Sequence, residues 1–189
     1  MRSTTIVLLI SINSLFSQNS WNIIGQFGLI QNKTKYPVAI QEGSIINGWQ
    51  TGAHVRKYYN ELYLLSGLDF YNIDLLANPK LEIFNKRPSF YSFGVPLGIG
   101  YDVFKNDHFK LRGQTALNFM YIFEIDDTHP IINESLLTPT RFGFQIGAGV
   151  EFFPITLDYH FELGLNQSYK ELDYKTNSHS FTLGVIFDY

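Results

Sequence analysis

The chain of 189 residues contains no cysteine, which excludes disulfides, thiolate metal sites and lipid attachment through an N-terminal Cys. Charge is also scarce: Asp, Glu, Lys and Arg make up 16% of the chain, against about a quarter in an ordinary soluble domain. The 14 Lys and Arg do not outnumber the 17 Asp and Glu. The basic excess that phosphate backbones demand is therefore missing, and no nucleic-acid partner is expected. Beyond the N-terminus there is no run near the roughly 20 apolar residues that a membrane-spanning helix needs. What the chain does have is rings, with 17 Phe and 12 Tyr. Its length suits one domain.

The first residues read as an export signal. Arg2 supplies a positive start, Ile6 to Ile12 a short apolar stretch, and Ser14-Leu15-Phe16-Ser17 a cleavage region. The expected division is 1–17 signal peptide and 18–189 mature domain, starting at Gln18. An anchoring helix fails on length. Removal of Arg2 without any acid makes the mature chain one unit more negative.

The last nine residues carry the clearest pattern. Strand side chains point alternately to opposite faces, so Phe181, Leu183, Val185, Phe187 and Tyr189 form one wholly apolar face. Ser180, Thr182, Gly184, Ile186 and Asp188 form the other. Three earlier segments repeat the alternation. From 109 to 123 it sets Phe109, Leu111, Leu117, Phe119, Tyr121 and Phe123 against Lys110, Arg112, Gln114 and Asn118. From 141 to 153, Phe142, Phe144, Ile146 and Val150 oppose Arg141, Gly143, Gly147, Gly149 and Glu151. From 155 to 166, Ile155, Leu157, Tyr159, Phe161 and Leu163 oppose Asp158, His160 and Glu162. No charge falls on the apolar face, and a helix would not sustain a period of two.

The first half of the chain is less regular. A strand over about 90–104 places Phe93, Val95, Leu97, Ile99, Tyr101 and Val103 on one face, with Pro96 expected at a bulge or rim. A strand over about 48–56 alternates Trp49, Thr51, Ala53 and Val55 with Gln50, Gly52, His54 and Arg56. Strands over 21–30 and 61–71 alternate more weakly. Short turns near 57–60, 105–107 and 153–154 interleave with long connections over 31–44, 72–89, 124–140 and 167–177. That rhythm is the layout of an eight-stranded antiparallel up-and-down transmembrane β-barrel, all-β, with both termini on the short-turn, periplasmic side.

Volume decides which face looks outward. A soluble barrel would hold the apolar face inside, but an eight-stranded interior is only just wide enough for side chains to fill. So many rings would not fit there, whereas Gly143, Gly147, Gly149, Gly164 and Gly184 relieve crowding on the polar face. The apolar face therefore meets lipid, and closure satisfies the backbone. Trp21, Phe109, Phe152 and Tyr189 suit an aromatic girdle at one interface, and Tyr91, Phe123 and Phe142 one at the other, with Trp49 just below.

Several segments carry a family resemblance: Phe93-Gly94-Val95-Pro96-Leu97, Phe109-Lys110-Leu111-Arg112, Gly147-Ala148-Gly149-Val150-Glu151 and Phe161-Glu162-Leu163-Gly164-Leu165-Asn166. Together they resemble the PorT-like outer-membrane barrels of the Bacteroidota. The resemblance implies an eight-stranded barrel in the outer membrane of a Gram-negative bacterium. Some relatives belong to type IX secretion and gliding machinery.

Chemistry is sparse. A lumen ion network is expected from Arg56, Asp102, Lys110, Arg112, Arg141, Glu151, Asp158 and Glu162, because charges in a narrow lumen must pair or neutralise. His54 and His160 point inward by parity, and no motif singles out a nucleophile, so no catalytic activity and no cofactor are expected. The loop Glu124 to Pro130 holds Glu124, Asp126, Asp127 and His129, but Pro130 and the missing Gly and terminal Glu spoil a Ca²⁺ loop. Lys80, Lys86 and Arg87 read as ordinary surface charge, with contact to lipopolysaccharide phosphates, which Lys and Arg bind readily, as the alternative.

The expected partners are outer-membrane lipid and lipopolysaccharide, the outer-membrane assembly machinery and another outer-membrane protein. By family analogy the assembly machinery reads Phe181, Leu183, Val185, Phe187 and Tyr189. A further outer-membrane protein would dock on the connection that carries Leu75, Leu76, Leu81, Ile83 and Phe84, unusually apolar for a solvent loop. The expected role is an accessory or scaffold subunit of a larger complex. A free-standing surface barrel for adhesion or envelope integrity is the alternative.

Overall fold

The alternation of period two is realised as eight antiparallel strands that close on themselves. The computed structural model describes residues 21–33, 48–74, 89–106, 109–125, 138–167 and 175–188. The strands are β1 (Trp21–Lys33), β2 (Gly48–Tyr59), β3 (Leu62–Asp74), β4 (Ser89–Lys105), β5 (Lys110–Ile125), β6 (Thr140–Phe152), β7 (Ile155–Gly164) and β8 (Asn177–Asp188). Each pairs with its sequence neighbour, and β1 closes on β8 from Asn22↔Asp188 to Lys33↔Asn177. Closure leaves no unpaired edge, the condition for a sheet in lipid.

Parity assigns the faces as the volume argument requires. Adjacent residues on β5 show it: Leu117 is 59% exposed and Asn118 2%. Leu97, Val103, Phe181, Leu183 and Phe187 also point outward, so the apolar band faces the membrane.

Several strands run further than the pattern suggested. β1 reaches Lys33 rather than Ile30, and β3 reaches Asp74 rather than Tyr71. β2 continues to Tyr59, which moves the turn from 57–60 to Asn60-Glu61, with Asn60 at φ 61°. Asn tolerates this left-handed conformation better than most residues. Parts of each long connection are therefore strand. Residues 34–47, 75–88, 126–137 and 168–174, which include Leu75, Leu76, Lys80, Leu81, Ile83, Phe84, Lys86 and Arg87, lie outside the described residues, as do the signal segment and Tyr189.

Pro96 is not at a bulge or a rim. It sits within β4, buried, opposite Asn118 of β5 in unbroken register. The β3–β4 ladder is interrupted instead: Ser66 pairs with Leu97 and Asp69 with Gly94, with no partners for Gly67 and Leu68 between them. A proline has no N–H to donate, so β4 keeps one neighbour there and loses the other. Register shifts occur elsewhere, at Tyr91/Ser92 and Asp102/Phe104.

Inside, small and large residues face each other. Gly100 lies against the Tyr63 ring, Gly147 against His160, Gly149 against Asp158 and Arg112, and Gly143 against Glu162. A Cβ at any of these positions would collide. Gly113 faces outward with open space around it. The inward face is not polar throughout. Ile30, Tyr71, Ile73, Phe90, Met120 and Ile122 pack together at the long-connection end, and Tyr58, Tyr63 and Leu65 at the short-turn end.

Candidate functional site

The lumen also holds three polar layers, the uppermost level with the apolar cluster at the long-connection end, where Arg141 is opposite Met120. Nearest the short turns is an ion cluster set on β2, β5, β6 and β7. The Arg112 guanidinium donates to Asp158 at 2.5 and 2.6 Å, to Glu151 at 3.2 Å, and to the Thr156 hydroxyl. Lys110 Nζ reaches Glu151 at 2.6 Å. Arg56 stands behind, 3.6 Å from Glu151 and 3.7 Å from Asp158, with its guanidinium 5.5 Å from the centre of the Tyr63 ring. The arrangement follows from register, since Lys110 is opposite Glu151 and Glu151 opposite Thr156.

Asp102 differs from the rest of the predicted network. It is buried and opposite Arg112 in the β4–β5 ladder, yet neither carboxylate oxygen has a hydrogen-bond partner. Its carboxylate acts only through its charge. With it, among the described side chains, the three cations Arg56, Lys110 and Arg112 face the three acids Glu151, Asp158 and Asp102. This balance matters because an uncompensated buried charge costs several kcal/mol, on the order of 3–5.

The middle layer is a pair of histidine stations. His54 Nε2 lies 2.9 and 3.0 Å from the Asp69 carboxylate, which also accepts from Gln26 at 3.0 Å and from Tyr71 at 3.3 Å. Across the lumen, Tyr63 donates to Gln114 Oε1 at 2.8 Å, and the Gln114 amide donates onward to His160 Nε2 at 2.5 Å. That chain fixes His160 as an acceptor at Nε2. Above it, Glu162 accepts from Asn118 at 2.9 Å and Gln145 at 2.7 Å. Arg141 is buried in the same upper layer, lining a cavity of only about 10 Å³ with Glu162, Gln145 and Met120. That volume is about one water-sized sphere.

The predicted residues therefore divide. The structure brings Arg56, Lys110, Arg112, Glu151 and Asp158 into one cluster. Asp102 is beside them without a hydrogen bond, and Arg141 and Glu162 belong to a different layer. Sequence reasoning placed Gln114 inward by parity and missed Asp69, Gln26, Tyr63 and Tyr71 as lumen partners. One signal was available: Asp69 is an acid inside an otherwise apolar strand segment, and only the inward parity can hold it.

The outer wall carries aromatic belts. Near the short turns, Phe109 and Phe152 are 4.9 Å apart, and Lys57 Nζ lies 4.9 Å from the Trp21 ring centre. Toward the long connections, Phe27, Trp49, Phe70, Phe93 and Phe123 form a chain with neighbouring centroids at 6.2, 5.6, 5.7 and 4.8 Å. Phe142 pairs with Phe119 at 5.2 Å. Phe181, Leu183, Val185 and Phe187 of the closing strand face outward.

This architecture has known counterparts. Neisserial surface protein A superposes with a TM-score of 0.59 at 12% identity, covering 90% of this chain and 100% of the other. Ail, the attachment invasion locus protein of Yersinia pestis, gives 0.49 at 13% identity, covering 90% and 98%. The outer membrane enzyme PagL gives 0.44 at 14% identity, covering 89% and 99%. The likeness to Neisserial surface protein A is one of fold. No curated protein matches the sequence. The outer membrane protein beta-barrel domain family matches residues 16–170. With its closed eight-stranded fold and lipid-facing apolar wall, the chain belongs to that family and is an outer-membrane β-barrel.

Proposed function

We propose that the protein works by contact rather than by transport or catalysis, as an accessory or scaffold barrel that docks against another outer-membrane component. The observation that carries this reading is how closely the described residues pack the lumen: two apolar clusters, ion pairs, and a cavity of about 10 Å³ in the upper layer. Eight strands normally leave side chains and no channel inside. His54 and His160 are committed to lumen hydrogen bonds behind the wall, out of reach of a substrate. The surfaces left for function are the wall and the long connections, including the apolar one with Leu75, Leu76, Leu81, Ile83 and Phe84. The PorT-like resemblance supports a place in machinery of the type IX secretion kind.

In this reading the termini and short turns face the periplasm and the long connections face outward. Residues 1–17 are removed on export, so mass spectrometry of the mature protein should find a start at or next to Gln18. Retention of Met1 would overturn that part. Planar-bilayer recordings of pure protein should show no steady conductance, and native purification should bring down another outer-membrane protein. Stable, voltage-independent pores would refute the sealed lumen. A purely monomeric native preparation would favour the free-standing surface barrel.

A further inference from the structure

Proline at position 96 leaves a gap in the sheet that lipid has no means to fill. Asp102 N–H donates to the Glu61 carbonyl at 2.8 Å, and the β3–β4 register is unbroken from Leu62↔Tyr101 to Ser66↔Leu97. Hydrogen-bonding direction alternates along an antiparallel strand. The even-numbered residues of β4 from Asp102 back to Pro96 therefore turn their backbone groups toward β3. The register sets Pro96 opposite Gly67. Gly67 N–H keeps the Pro96 carbonyl as its acceptor, but the return bond needs an N–H that proline lacks. The Gly67 carbonyl is left without its ladder donor, which is why pairing lapses at Gly67 and Leu68.

The gap opens toward the wall. In the lumen the His54 ring covers Gly67, close enough to collide with a Cβ there. Gly67 is nevertheless only half-buried, while its inward-facing neighbours Leu65 and Asp69 are buried. With the lumen side covered, its accessible surface looks outward. Beside it on the wall is Ser66, half-buried, whose hydroxyl makes no hydrogen bond among the described residues. By contrast, the hydroxyl of Thr51 on the outer face of β2 donates to the Gln26 carbonyl at 3.0 Å. Around Ser66 the wall is apolar: Leu64, Leu68 and Leu97 are exposed, and Val55 is its partner on β2. An orphan acceptor and an unused donor thus sit side by side in the apolar band. Acyl chains offer neither of them a partner, and an unmet backbone group in hydrocarbon costs free energy.

We propose that this spot on β3 is a dimerisation contact for a second copy of the same chain, the Ser66 hydroxyl of each copy donating to the Gly67 carbonyl of the other. Two copies that share one orientation in a membrane are related by an axis along its normal, so equivalent residues meet at equal depth. A two-fold contact must be self-complementary. One donor beside one acceptor meets that requirement with two reciprocal bonds and leaves neither group unmatched. A different protein would have to bring its own donor and acceptor to the same depth. The exposed Leu68 and Leu97 flank the bonds and supply apolar contact across the axis. The inference goes beyond the docking role, which concerns a different protein, and it is tested on pure protein.

Sedimentation equilibrium of the pure mature protein in density-matched zwitterionic micelles should show a monomer–dimer equilibrium. Ser66→Ala removes both donors and should weaken it by about tenfold, the scale of two modest hydrogen bonds in a membrane. Pro96→Ala restores the N–H that Gly67 lacks, ties up the acceptor within the sheet, and should weaken the dimer to a similar extent. Leu157→Ala, on β7 across the barrel, should leave it unchanged. The chain contains no cysteine, so a single introduced one reports position. Ser66→Cys should give a disulfide-linked dimer on oxidation in vesicles, and Leu157→Cys should not. A wild-type protein that stays monomeric at every ratio of protein to micelle would overturn the contact. So would a dimer of undiminished strength in both Ser66→Ala and Pro96→Ala, or cross-linking of Leu157→Cys as readily as of Ser66→Cys. Should Pro96→Ala not fold, Ser66→Ala, which alters only the wall, decides alone. Native co-purification of another outer-membrane protein, which tests the docking role, should not change in Ser66→Ala.

Discussion

Replacing Arg112 by Met should destabilise the barrel by about 3–5 kcal/mol, the usual cost of removing one partner from a buried ion cluster. The burden falls unevenly. Glu151 keeps Lys110 at 2.6 Å, but Asp158 is left with the Thr156 hydroxyl at 2.9 Å and Arg56 at 3.7 Å. The layer then holds Arg56 and Lys110 against Glu151, Asp158 and Asp102, and carries an unbalanced negative charge. Methionine fills most of the arginine stem's volume, so electrostatics rather than a cavity should dominate. Adding Asp158→Asn restores the balance among these groups, and the double variant should recover about 1–3 kcal/mol of the loss, within the range for residues in one network. Urea unfolding in lipid vesicles, followed by tryptophan fluorescence, measures both. The single variant should shift the folded-to-unfolded ratio by roughly two to four powers of ten. A loss below about 1 kcal/mol, or a double variant no more stable than the single one, would refute the reasoning.

The wall and the glycines give independent tests. Leu117→Arg, at mid-strand on the lipid face, should cost about 2–4 kcal/mol, while Phe153→Arg at the β6–β7 turn should cost no more than about 1; equal costs would contradict the membrane placement. Gly100→Ala drives a methyl into the Tyr63 ring and should cost about 1–3 kcal/mol. Gly113→Ala, which meets nothing, should change stability by less than about 0.5 kcal/mol. A similar loss at both positions would show that strand propensity, not lumen crowding, governs these glycines.

The second half of the barrel was legible because lipid tolerates no charge on the outward face, so β5 to β8 alternate cleanly. β3 was obscure for a physical reason. Its inward face carries Tyr63, Leu65, Tyr71 and Ile73 in the two apolar clusters, and alternation vanishes where both faces are apolar. β1 is blurred in the same way by buried Ile24 and Ile30. The charges that point inward can be read from parity. Which of them pair depends on strand-to-strand register, and no single strand encodes that. Asp102 and Arg112 face each other in the ladder, yet Arg112 reaches across to Asp158 instead.

The facing of lumen glycines against bulky side chains also acts as a ratchet on assembly. Apolar alternation forbids a slip of one residue between neighbouring strands, because every side chain would change face. It is blind to a slip of two. In the β6–β7 pair, a two-residue slip one way would set Glu151 opposite Asp158, carboxylate against carboxylate. The other way would set His160 opposite Gln145 instead of Gly147. Patterning can thus choose only between odd and even offsets, whereas the size and charge of facing lumen side chains select one offset among the even ones. In a ring, an error in any one pair carries round to the seam where β1 must meet β8, so each such match helps determine whether the barrel closes.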